Sequence, residues 1–149
     1  MLSYHFLGPA TAQQWWQQQR QQRLKQALAS VNSGAWEWRS DSNQIYANRI
    51  HNMLGYSEQM NLLNLQQHIS LIHPDDKTTF IKKWQRFLAN PEVSFDCTYR
   101  MQDSSGKWLW FRDQGRAIDL SENNSPRSVI GTFSNITETR ANQEKARLF

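Results

Sequence analysis

The chain of 149 residues reads as an α+β domain. Its predicted architecture is a five-stranded antiparallel sheet with helices on one face, an N-terminal amphipathic helix before it and a polar helix after it. Two observations predict this. Val93, Phe95, Cys97, Tyr99 and Met101 alternate with Ser94, Asp96, Thr98 and Arg100, the period of two that a half-buried strand requires. The order of patterns along the chain is helix, two strands, several short helices, a longer helix, three strands and a helix. With short connections, that order suits helices segregated onto an antiparallel sheet.

Composition bounds the rest. This length supports one domain that buries roughly two-thirds of its unfolded surface, so a core forms without staples. The single cysteine, Cys97, excludes an internal disulfide and suits a reducing compartment. No apolar run reaches the length of a membrane span. The opening "MLSYHFLGPATAQQWWQQQ" lacks the layout of a signal peptide, so the chain is expected in the cytoplasm. The net charge of +4 comes from scattered lysines and arginines, and no nucleic-acid surface is expected. Seven tryptophans predict a bulky aromatic core.

The elements follow in order. Thr11 and Gln14 match a capping box just after Pro9. Trp16, Arg20, Leu24, Ala27, Leu28 and Val31 form a stripe at helical spacing, which must lie against the domain or a partner helix. Ser33-Gly34 ends the helix. "AWEWR" and "QIYA", joined by "SDSN", predict a hairpin over 35–47. Ile50, Met53 and Leu54 make a short helix that Gly55 stops. "SEQMNLLNLQQHISLI" suggests short helical turns.

"HPDD", His73 to Asp76, admits a metal-site reading or a helix-start reading. Proline suits the first helical position, and carboxylates in the first turn complement the helix dipole. No further His or Cys stands at ligand spacing, so the helix start is preferred. Phe80, Ile81, Trp84, Phe87 and Leu88 are the apolar face of that helix, and Lys82, Lys83 and Arg86 its wet face. "WLWFRDQGRAI" is the next strand, with Leu109, Phe111 and Asp113 on one side and Trp108, Trp110 and Arg112 on the other. "SVIGTFSNI" is the last strand. Both faces of the long strands carry large side chains, so both are expected to be covered, the second by the first helix or a second chain.

The stretches "GAWEW", "YANRIHNMLGYS", "LIHPDD", "YRMQDSSGKWLWFRDQGRAI" and "VIGTFSNITETR", in this order, closely resemble the PAS domain, or sensory box. The subtype is that of bacterial histidine kinases and cyclic-di-GMP (GGDEF/EAL) proteins. The resemblance spans roughly residues 30–140 and implies a PAS-like sheet enclosing a small pocket. It divides the chain into a flanking helix (1–32), the PAS domain (33–137) and the start of a signalling helix (138–149).

The resemblance implies a sensory domain that binds a small ligand or a partner and relays a conformational signal to an effector outside these residues. That effector is expected to be a diguanylate cyclase or phosphodiesterase, with a histidine kinase second. A ligand-free dimerisation module is the alternative. A homodimer through the flanking helices is expected, against simple capping of one monomer. Trp38, Phe95, Cys97, Tyr99, Phe111, Asp113 and Phe133 are the pocket candidates, with Tyr99 and Asp113 supplying polarity. The competing reading is a core that these rings simply fill.

Asn135, Thr137 and Glu138 are the relay candidates. Asn135 stands where the family usually has aspartate, so an ion pair made there by relatives is in doubt in this chain. The region "NLQQHISLI" lacks the reactive cysteine of the family's flavin photoreceptors, so flavin photochemistry is not expected. His68 and His73 are the candidate axial ligands if a haem is bound, an option ranked below a small organic ligand. No phosphate loop, nucleophile elbow or carboxylate pair indicates an enzyme.

Overall fold

A computed structural model describes residues 11–57 and 61–148. Helix α1 (Ala12–Ser30) opens with the expected capping box: Thr11 Oγ1 accepts from the Gln14 N–H at 3.1 Å, and Gln14 Oε1 from the Thr11 N–H at 3.2 Å. Pro9 lies outside the described residues. Of the two expected supports for α1, its own domain or a partner helix, the domain does not bury it. None of its side chains is buried, and Trp16, Leu24 and Val31 are all more than half exposed. The physical reason is its composition. Trp15 and Trp16 are consecutive, roughly 100° apart around the helix, and their rings pack edge-on against each other at 4.8 Å rather than against the sheet. Glutamine is the commonest residue of the remainder. Asn32, in the left-handed region at φ 55°, then turns the chain into the sheet.

Strands β1 (Ser33–Arg39) and β2 (Gln44–Ala47) form the expected hairpin, followed by α2 (Ile50–Leu54). A sixth strand was not predicted. β3 (Leu62–Asn64) pairs with β2 within the region expected to be helical turns. Three residues are too few to display a period of two. Asn64 ends the strand and at once caps α3 (Leu65–Ser70) through a reciprocal bond with Gln67. The sheet order is β3-β2-β1-β6-β5-β4, antiparallel throughout. β4 is Phe95–Gln102, β5 Trp108–Leu120 and β6 Pro126–Asn135, and α5 (Thr137–Leu148) follows. Val93, assigned to the strand alternation from sequence, sits instead in the preceding turn and is 61% exposed.

HPDD starts helix α4 (Pro74–Ala89). His73 is the N-cap and its Nδ1 accepts from the Asp75 N–H; Pro74 is the first helical residue. Asp76 also has a second role. Its carboxylate accepts from the backbone N–H, Nε and Nη2 of Arg100 at 2.9–3.0 Å, which ties the helix start to strand β4. The His73 N–H donates to the Arg100 carbonyl and the Gln102 N–H to the Leu71 carbonyl, so this segment covers the free edge of β4. We expect Asp76→Ala to lower stability by about 2 kcal/mol, because a partly buried guanidinium and a strand N–H lose a charged acceptor. Urea denaturation at neutral pH measures it. A change under a few tenths of a kcal/mol would show the tie to be dispensable.

Helices α2 to α4 cover the inner face of the sheet. Phe80, Trp84 and Phe87 of α4 pack edge-on against Phe95, Tyr99, Trp36 and Trp38, the tilted and T-shaped contacts that aromatic rings prefer. The outer face was expected to be covered by α1 or a second chain. Within this chain its tryptophans are covered by cationic and imidazole groups. Arg140 of α5 stands 3.9 Å and Arg100 4.8 Å from the Trp110 ring centroid, and His73 lies against Trp108.

Candidate functional site

Alternate residues of β4, β5 and β6 point under α3 and α4, where they enclose a cavity of about 40 Å³. Of the pocket candidates, Trp38, Phe95, Tyr99, Phe111, Asp113 and Phe133 line it. Cys97 does not. It is buried in the core between Phe95 and Tyr99, where loss of water pushes its thiol up to about 11. Sequence reasoning did not assign Trp36, Phe80 and Trp84 to the lining, because their positions mark them only as core.

Three polar side chains form a chain beneath the sheet. The Tyr99 hydroxyl donates to Asp113 Oδ2 at 2.8 Å, and His68 Nε2 lies 2.9 Å from the same hydroxyl. With Asp113 ionised, the phenolic proton goes to its carboxylate, and the Tyr99 oxygen then accepts from the Nε2–H tautomer of His68. Burial dominates their electrostatics. Asp113 is pushed up to about 7 by loss of water, against the lowering effect of the Tyr99 bond. His68 sits with its ring against Phe80 and Tyr99, and burial pushes it down to about 4, so it is neutral at pH 7. Tyr99 is raised well above the usual phenol range by burial and by the Asp113 charge.

His68 and His73, the haem candidates, are thus both engaged: His68 on Tyr99, and His73 as the cap of α4. A site on this measure needs roughly 10–15 Å³ for one water, so the cavity has room for about three. The residues present do not fit a haem or a flavin ring system.

A second group of contacts joins the sheet to α5. Asn135 Oδ1 accepts from both the backbone N–H and the hydroxyl of Thr137, at 3.1 and 2.7 Å. Thr137 Oγ1 accepts from the Trp110 N–H at 2.9 Å, and the Ile136 N–H donates to the Trp110 carbonyl at 2.8 Å. Asn135 thus fills the junction with hydrogen bonds alone, and no ion pair involves it. Glu138 is exposed, and its side chain makes no hydrogen bond or ion pair among the described residues. Trp110 and Arg140 are the residues that sequence reasoning missed here. Their contact joins residues 30 positions apart, which no local pattern reveals.

The sequence model of the family described as PAS fold matches residues 44–133, well over half of the chain. This chain belongs to the PAS family. Solved structures agree on the fold of this PAS domain. A sensory box histidine kinase/response regulator from Burkholderia thailandensis superposes with a TM-score of 0.69 at 20% identity, covering 85% of this chain and 93% of that one. The N-terminal domain of a diguanylate cyclase with PAS/PAC sensor from Marinobacter aquaeolei gives 0.65 at 16%, covering 72% and 98%. A PAS domain from Colwellia psychrerythraea gives 0.58 at 20%, covering 79% and 97%. No curated protein matches the sequence. Among the described residues, no helix of this PAS domain is long and apolar enough to cross a membrane.

Proposed function

We propose that this PAS domain is the input module of a signalling protein and that it converts a change in its buried cavity into a movement of α5. One observation carries the reading. Phe111 and Asp113 of β5 line the cavity, while Trp110 of the same strand holds the start of α5 through Thr137, Ile136 and Arg140. A shift or twist of β5 therefore alters both sides at once, and a ligand that prefers one strand position shifts the population of the other. The proposed effector is a diguanylate cyclase or phosphodiesterase, else a histidine kinase, in line with the proteins to which the fold is similar. The exposed apolar residues of α1 and the exposed α5 favour a homodimer through the flanking helices. The module itself carries no catalytic role in this reading.

The crowding of the cavity by aromatic rings favours a second reading, a ligand-free dimerisation module. Hydrogen exchange on the isolated chain separates the two. Tyr99→Phe keeps the shape of the core but breaks the His68–Tyr99–Asp113 chain. Amides at 137–141 should then exchange several-fold faster, because the junction loosens with the strand. Trp110→Ala should have the same effect by removing the ring beneath Arg140. If only Trp110→Ala speeds exchange and Tyr99→Phe leaves α5 unchanged, the cavity does not communicate with α5 and the dimerisation reading prevails.

A further inference from the structure

We infer that the cavity takes a small neutral molecule that presents a hydrogen-bond donor beside an acceptor, as the edge of an amide does. This rests on the reading of the cavity as the sensory input. Trp36 Nε1, Trp84 Nε1 and Asp113 Oδ1 have no hydrogen-bond partner, although their residues are only 8%, 6% and 6% exposed. All three residues line the cavity. Buried polar atoms are nearly always paired, and leaving them unpaired is costly. Trp38 shows the ordinary arrangement, with its indole N–H donating to Asn43 at 2.9 Å. Three orphans on one small cavity are therefore an unfilled set of partners: two donors and one acceptor.

Their arrangement narrows the chemistry. The Trp36 indole is near enough to Asp113 to hold its carboxyl down somewhat, without a bond of ordinary geometry. The Trp36 donor and the Asp113 acceptor thus stand close to each other in the lining without a bond of good geometry, and a molecule that offers an acceptor to the indole and a donor to the carboxyl, as an amide edge does, satisfies both. Above about pH 7, where Asp113 is ionised, an anion would meet its carboxylate with no cation in the lining to offset it, since His68 is neutral. A cation would suit Asp113 but would set its charge against two indole N–H groups. Apart from His68 and Tyr99, whose polar atoms bond each other and Asp113, the remaining wall is apolar, with Phe80, Phe95, Phe111 and Phe133. With room for about three waters, the ligand has only a handful of non-hydrogen atoms.

The test is a titration of the ¹⁵N-labelled chain with acetamide, followed through the indole N–H signals of its seven tryptophans. Trp36→Phe and Trp84→Phe assign the two signals. Both should move saturably at millimolar acetamide while those of Trp15 and Trp108, far from the cavity, stay fixed. Acetate and acetamidinium, the anionic and cationic isosteres, should bind at least tenfold more weakly. Trp84→Phe removes one donor and should weaken acetamide about tenfold, read on the Trp36 signal. Signals that do not saturate, or that show only exchange with trapped water, would overturn the inference, as would tighter binding of either charged isostere. Faster α5 exchange in Tyr99→Phe alongside such a failure would leave the relay standing and remove only the ligand class.

Discussion

Gly131→Ala is expected to destabilise the protein by roughly 3 kcal/mol or more, at the upper end of overpacking effects. Gly131 has no left-handed φ, so its role is not conformational freedom. It is space. A Cβ there would stand 2.0 Å from the Gln114 carbonyl oxygen and 2.5 Å from the Trp36 indole. The carbonyl belongs to the β5–β6 ladder, which pairs Gly131 with Gly115 and Gln114 with Thr132, so it cannot retreat without opening hydrogen bonds. Gly115 is bare for the same reason: its Cβ would meet Trp36 at 2.6 Å. The two glycines form the floor on which Trp36 rests beside the cavity. Gly34→Ala is the control. Its clash is with the far end of the Phe133 ring, at 2.4 Å, which can swing aside. Thermal unfolding should therefore rank Gly131→Ala well below Gly34→Ala. Equal melting temperatures would mean that the ladder yields as easily as a ring.

The second large effect is a pair of opposed pH dependences. Asp113 is raised in the folded chain from an ordinary 3.8 to about 7, so the native state holds its proton more tightly than the unfolded state does. That contribution is complete below about pH 4 and is lost as pH rises through 7. His68 is lowered from 6.5 to about 4, so the native state binds its proton less tightly. Its contribution is complete above pH 6.5 and is lost as pH falls through 4. Each amounts to roughly 3–4 kcal/mol at about 1.4 kcal/mol per tenfold change in proton affinity. Between pH 4 and 6.5 they oppose each other and the native protein should show little pH dependence. His68→Gln should expose the Asp113 slope, with stability falling as pH rises from 4 to 7. Asp113→Asn should expose the opposite slope, with stability rising from pH 4 to 6.5. Asp76 and Asp96, held below the usual carboxylate range chiefly by hydrogen bonds from Arg100 and Arg112, lose their contributions only below about pH 4, outside this window. Urea denaturation at stepped pH compares the three proteins. Superimposable profiles would sink the assignment.

The legible part of the fold was the part written in local periodicity. The alternation from Phe95 to Met101 is buried and exposed in turn, as expected, and Leu109, Phe111 and Asp113 share the inner face. HPDD starts its helix, and Thr11 caps α1 with Gln14. The sequence misled where a pattern was too short or had no neighbour to act upon. β3 is three residues long, and its pairing with β2 depends on hydrogen bonds to another segment. The α1 stripe has helical spacing, but spacing says only which residues share a side, not whether anything covers that side. Six of the seven pocket candidates line the cavity because strand alternation carries their direction; Cys97 has the right direction and still falls outside it.

By itself the sequence determined the order of elements apart from β3, the faces of the long elements and the family, because helix caps, turn residues and periods of two or 3.6 are properties of neighbouring residues. Only the tertiary structure decided what those faces meet. Asp76 reaches Arg100 across 24 positions, His68 reaches Tyr99 across 31, and Thr137 takes the Trp110 N–H across 27. The unpartnered indoles of Trp36 and Trp84 differ from the satisfied Trp38 in nothing that the residue type shows. A tryptophan donates one N–H wherever it stands, and whether that donor finds an acceptor is a matter of distance between segments that only folding brings together.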